Sequence, residues 1–115
     1  MDTANLTQEI TELHANLCMA LADPTRLLLL YMLSEQPCNV SELTEKLNIP
    51  QPSTSRHLRV LREGGLVRAT RQGPSVLYEL TDRRVIEALD LLRAILRERI
   101  HRNAVLINEL EPSGQ

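Results

Sequence analysis

The stretch NVSELTEKLNIPQPSTSRHLRVLREGG, residues 39–65, decides the fold. Asn39 followed three residues later by Glu42 has the spacing of a capping box, in which each side chain satisfies the other's free backbone N–H, and it opens a short helix over Val40 to Leu47. Asn48-Ile49-Pro50 reads as a tight turn. Gln51 then caps a second helix with Pro52 at its first position, where a missing N–H sacrifices no bond, and Gly64-Gly65 stops it after Glu63. Two short helices joined by a brief turn make a helix-turn-helix.

Within the second helix Thr54, Leu58 and Leu61 recur at four and three residues, so they share one face and pack inward. The opposite side presents Arg56, Arg59 and Glu63, flanked by Ser53 and, nearer the helix start, Gln51 and Ser55. Such a helix can enter a DNA major groove, about 12 Å wide, where Arg or Gln makes paired hydrogen bonds to base edges. The small residues Ser53, Thr54 and Ser55 let the helix start approach DNA closely and bond phosphate through hydroxyls and free N–H groups. His57, beside Arg56, touches DNA or packs at the edge of the motif.

Working outward, Leu66 to Gln72 and Ser75 to Leu80 are β-prone runs joined at Gly73-Pro74, a hairpin that forms a wing. Arg68 and Arg71 on it either reach the DNA backbone or are ordinary solvated strand charges. Upstream, Thr7 caps a first helix to about Leu21, with Ile10, Leu13, Leu17 and Leu21 on one face. Asp23-Pro24 starts another, to about Ser34, whose LLLLYML run is apolar nearly all round and suggests the most buried helix. Downstream, Asp82 caps a last helix from Arg83 to about Leu110, with Val85, Leu89, Leu92 and Leu96 in a near-heptad stripe. One small core cannot cover a helix that long. Its spare apolar face, with that of the first helix, reads as a dimer seam. Glu111 to Gln115 reads as a frayed tail.

The expected fold is therefore mostly α with a β-hairpin wing, a winged helix-turn-helix in one domain over residues 1–115. Within it, 1–21 is an N-terminal dimer helix, 40–63 the helix-turn-helix, 66–80 the wing and 83–110 a C-terminal dimer helix. The composition, 43% hydrophobic but only 2% aromatic, suits an aliphatic helical core. The formal net charge is −2, yet residues 51–75 hold five arginines against one glutamate while both flanks are net acidic, so positive potential gathers on the proposed DNA-binding segment. No run approaches the roughly 18 apolar residues of a membrane span, and the N-terminus lacks the order of a signal peptide, which points to the cytoplasm. Cys18 and Cys38 are too few for a disulfide framework. No phosphate-cradling glycine loop, metal-ligand cluster or Cys-His pairing suggests an enzyme.

The segments LADPTRLLLL, SELTEKLNIPQPSTSRHLRVLREGGLV and RQGPSVLYEL together resemble the ArsR/SmtB repressors, over about Leu17 to Leu96. The most specific parts are Asp23-Pro24-Thr25-Arg26 and the run from Ser55 to Leu61. The resemblance implies a homodimer on an imperfect palindrome of double-stranded DNA, joined through first and last helices and released when an effector binds. The metal and metalloid positions of that family match poorly. Its metalloid motif resembles ELCVCD, but Asn39 and Ser41 stand here where the thiolates would sit. Its zinc site uses Asp-x-His and His-x-x-Glu; Asp82 and Glu98 align, but Arg84 and Ile95 replace the imidazoles. No complete metal site is legible. Cys18, in an apolar helical context where a cysteine is more often a small core residue than a ligand, is the second thiol candidate. Cys38 lies at a helix start, where the dipole lowers a thiol pKa, and is the better candidate for a switch by metalloid or oxidation. His14, His57 and His101 are scattered. The competing class is a winged-helix protein-interaction adaptor with no effector response, against which the retained arginines argue.

Overall fold

In the computed structural model, which describes residues 2–110, the chain gathers into two compact units, one through Arg83 and one beginning at Arg84. The expected tail, Glu111 to Gln115, lies outside the described residues. The first unit holds α1 (Thr3–Leu21), α2 (Pro24–Glu35), β1 (Cys38–Asn39), α3 (Val40–Leu47), α4 (Gln51–Glu63), β2 (Val67–Gln72) and β3 (Ser75–Leu80). The second is the single helix α5 (Arg84–Leu110). Among the described residues no single helix is long and apolar enough to cross a membrane.

Helix α1 begins a turn earlier than Thr7, because the Asp2 side chain accepts from the Ala4 N–H; Thr7 instead donates its hydroxyl back to the Thr3 carbonyl. A Thr with this option inside a helix imitates a cap in sequence. Over His14–Cys18 the helix widens into a π-helical turn. The chain then bends by 85° into α2. Asp23 caps α2 by accepting from the Thr25 and Arg26 N–H groups at 2.8 and 3.3 Å, with Pro24 in the first turn, as the dipeptide predicts. Helix α2 is less enclosed than its apolar run suggests. Leu29, Leu30 and Leu33 are buried, but Leu28 is 51% exposed.

The capping box forms at α3: Asn39 accepts from the Glu42 N–H at 2.8 Å and Glu42 from the Asn39 N–H at 3.0 Å. Asn48 ends α3 in the left-handed region at φ 53°, a conformation Asn tolerates, and turns the chain toward α4. Pro50, not Gln51, is the N-cap of α4; its carbonyl accepts from the Ser53 and Thr54 N–H groups, and among the described residues no side chain caps this helix. At the far end the Gly65 N–H bonds the Arg62 carbonyl and the Leu66 N–H bonds the Leu61 carbonyl, the paired closure of a Schellman motif.

Gly64 and Gly65 are required for different reasons. Gly65 has φ +76°, which an L side chain resists, in open space. Gly64 is ordinary in φ, but a Cβ there would stand 2.9 Å from the Asn16 carbonyl oxygen and 3.1 Å from the Ala20 Cβ. The end of α4 therefore lies against the backbone of α1 at its π-helical turn.

The wing hairpin pairs Val67 to Gln72 with Leu80 to Ser75 through a two-residue turn. Gly73 at φ +61° followed by Pro74, whose ring fixes a negative φ, is the combination of a type II′ turn. A third strand, invisible in the sequence, joins it: β1 pairs with β3 in the order β1-β3-β2. At two residues it lacks a readable period. The core of the first unit is Ala20, Leu29, Leu30, Leu33, Cys38, Leu43, Leu58, Leu61, Leu66 and Val67.

Because a Gly64 side chain must displace α1 backbone, Gly64→Ala should destabilise the protein by about 1–3 kcal/mol in urea unfolding. Gly65→Ala should cost about 1–2 kcal/mol through φ alone. A Gly64→Ala protein that unfolds at the parental midpoint would show that the close approach does not exist.

Candidate nucleic-acid interface

Helix α4 divides into stripes. Thr54, Leu58 and Leu61 are fully buried and fix it to the core. The Thr54 hydroxyl accepts from the Thr44 hydroxyl at 2.9 Å, a bond that staples α4 to α3 across the turn. Thr54 is therefore withdrawn from the group of small hydroxyl residues expected at DNA: burial and this bond occupy it. Ser53 is half-buried, and its hydroxyl accepts from Arg56 at 3.2 Å; Gln51, Ser55, Arg56 and Arg59 are exposed.

His57 lies on the flank that faces α2 rather than on the outer side. The Arg26 guanidinium lies 3.3 Å from its Nδ1. The same guanidinium donates to the Ala20 carbonyl at 2.7 Å and the Met19 carbonyl at 3.2 Å. Arg26 thus donates to two carbonyls at the end of α1, of which that of Met19 also accepts from the Ala22 N–H, and touches α4 with its remaining nitrogen. His57 is half-buried at the motif's edge, with its Nδ1 facing Arg26.

On the wing the two arginines differ. Arg68 stands directly opposite Glu79 and pairs with it at 2.8 Å, with 58% of its side chain still exposed. An exposed pair of this kind is worth little and leaves the site locally neutral. Arg71 is exposed at the hairpin's end and has no side-chain partner among the described residues. Arg59 and Arg62 on α4 share that condition. Arg62 is not among the residues that the sequence singles out, because a helical wheel centred on Arg56 leaves it at the edge.

An open depression of about 250 Å³ is lined by Ser55, Arg56, Arg59 and Arg62 of α4 and by Tyr78 of β3. Tyr78 carries no signal in the sequence. Only the strand register brings it beside α4.

The thiols reverse their expected order. Cys38 is fully buried on β1, and burial pushes its pKa up, against the opposing pull of Lys46, whose Nζ lies 3.8 Å from Sγ. The helix-start argument fails because Cys38 precedes the cap and sits inside the core, where desolvation outweighs the dipole. Cys18 is exposed. Among the described residues no group of three or more His, Cys, Asp or Glu is placed to hold a metal ion.

Iodoacetamide should accordingly add one label to the native protein, at Cys18, and a second, at Cys38, only in denaturant, read by mass spectrometry. With its folded pKa raised, Cys38 contributes stability that is fully present below the ordinary thiol range and is lost as pH rises from there through the raised value. Cys38→Ala should lack that alkaline slope. Native labelling of Cys38 as fast as Cys18 would contradict its burial.

The model of bacterial regulatory proteins of the arsR family matches residues 23–69. The chain is 40% identical over 75 residues to the HTH-type transcriptional repressor SmtB of Mycobacterium tuberculosis, which covers 65% of this chain and 56% of that protein. The chain thus spans little more than half the length of that relative. It is also similar to the crystal structure of the transcriptional repressor BigR from Xylella fastidiosa, at 34% identity and TM-score 0.69, over 83% of this chain and 96% of that one. A third likeness is the homodimeric winged helix-turn-helix DNA-binding domain Mb0332 from Mycobacterium bovis, at 25% identity and TM-score 0.68, over 85% and 88%. These relatives are regulators, not enzymes. With α3 and α4 forming the helix-turn-helix and β2 and β3 the wing, the chain belongs to the arsR family of bacterial transcriptional regulators.

Proposed function

We propose that the protein is a transcriptional repressor that binds double-stranded DNA as a homodimer, with α4 as the recognition helix. The observation that carries this reading is the division of α4: three buried residues anchor it while Arg56 and Arg59 stand exposed on the outer side. Gln51, Ser53, Ser55, Arg56 and Arg59 are the residues for the groove and Arg71 the wing's contact with the backbone. The repressor role is supported by SmtB and BigR, which are repressors.

Dimerisation is supported by the homodimeric relative and by apolar surface on two helices considered separately. Helix α1 exposes Leu6, Ile10 and Leu13, and α5 exposes Leu92, Ile95, Leu96 and Ile100. Water-facing stripes of this kind favour burial against a second copy. A two-fold dimer addresses a palindromic operator. Release by an effector completes the reading, and a thiol-reactive effector would meet the exposed Cys18 before the sealed Cys38.

Replacing Arg56 and Arg59 together by Ala should weaken operator binding by about 100-fold or more at fixed salt, since each paired contact to a base is worth about 1–3 kcal/mol. It should also flatten the dependence of affinity on salt. Gel-shift affinity equal to the parent's would sink the assignment.

A further inference from the structure

We propose that the depression between α4 and β3 seats a phosphate of the DNA backbone, with Arg62 and the Tyr78 hydroxyl as its donors. This rests on the DNA-binding reading above and adds two residues to it. Their role is distinct, since they hold the strand that borders the groove while the outer face of α4 reads bases.

The geometry follows from two periodicities. Ser55, Arg59 and Arg62 recur at four and three residues, so they form one stripe along α4, beside the buried stripe of Thr54, Leu58 and Leu61. In the sheet, Tyr78 stands opposite Ala69 and Cys38, and two residues on Leu80 stands opposite Val67. Cys38 and Val67 are buried, so this is the sheet's inward face, the one that meets α4. Tyr78 sits half-buried on that face and lines the rim of the depression. Ring burial with a polar tip at a wet edge is the usual disposition of such a tyrosine.

The charge is unbalanced. Three guanidiniums line the depression, and among the described residues no carboxylate does. Arg59 and Arg62 have no side-chain partner among the described residues, and Arg56 donates only to the neutral Ser53 hydroxyl. Tyr78 likewise has no side-chain hydrogen bond among them. Cations held together with an unengaged hydroxyl beside them are matched by an anion that accepts several hydrogen bonds, and phosphate oxygens do so well. The depression is open and lies between the recognition helix and the wing, so a continuous phosphodiester strand can pass through it. That favours duplex DNA over a free ion.

The test uses the full chain and four variants, Tyr78→Phe, Arg62→Ala, Arg62→Lys and the Arg56→Ala, Arg59→Ala double. Binding is followed by fluorescence anisotropy with a duplex selected by the parent and with a scrambled duplex of equal length, over a salt series. Tyr78→Phe keeps the ring and removes one uncharged donor. It should weaken both duplexes equally, by about 3- to 10-fold, with the salt slope unchanged. Arg62→Ala should weaken both and lower the slope by about one, and Arg62→Lys should restore the slope. The double variant should lose the selected duplex preferentially. Parental affinity and slope in both Tyr78→Phe and Arg62→Ala overturn the proposal, as does a loss confined to the selected duplex, which would mark base reading. Saturable, Arg62-dependent binding of inorganic phosphate without DNA overturns it in favour of a free-anion site. If the parent binds neither duplex, the DNA-binding reading itself fails; if the parent binds and only the double variant is impaired, this proposal alone fails.

Discussion

Helix α4 stands where it does because of one joint, at which the end of α1, the start of α2 and the flank of α4 converge. Arg26 is its centre, donating to two carbonyls that end α1 and facing His57 on α4. The Met19 carbonyl also accepts from the Ala22 N–H at 3.3 Å, whereas residue 24, four on from Ala20, is a proline with no N–H to give, and leaving such a group unmet costs more than a surface hydrogen bond returns. Gly64 closes the joint from the other side, since any larger residue there would press on the α1 backbone. The sequence that builds this is short: Asp23 caps, Pro24 starts the helix, and Arg26 reaches back. Position and orientation of α4 are therefore inherited from packing, and its outer face is left free for arginines.

Much of the architecture was legible because it rests on local rules. The Asn39–Glu42 capping box, the Asp23-Pro24 start, the double-glycine stop and the Gly73-Pro74 turn all formed as their residue types require. The alternation of buried and exposed positions on α4 followed from its spacing alone. Failures came where tertiary context overrides a local signal. Thr7 looked like a cap but bonds within a helix already started by Asp2. Gln51 sits one position inside the helix that Pro50 begins. Thr54 has the chemistry of a phosphate contact but a buried partner in Thr44.

Cys38 is the instructive case. A dipole argument concerns a few residues, whereas β1 forms only when a strand some 40 positions later pairs with it, as Cys38 does with Tyr78. The same long-range pairing that sealed the thiol brought Tyr78 to the edge of α4. Neither consequence has a period or a motif to announce it. Electrostatics were legible only in part for a similar reason. Five arginines could be counted between residues 51 and 75, but which were free depended on register, with Arg68 opposite Glu79 and Arg71, near the turn, unpaired among the described residues.

The central claim is that the exposed face of α4 reads base edges, twice, across a two-fold axis. Selection of bound duplexes from a random pool tests it most directly. The account predicts an enriched inverted repeat whose half-site centres lie about 34–36 Å apart, or a multiple of that spacing, as two recognition helices on one side of the duplex demand. Retained duplexes with no common sequence would contradict base reading, and a single unrepeated site would contradict the two-fold.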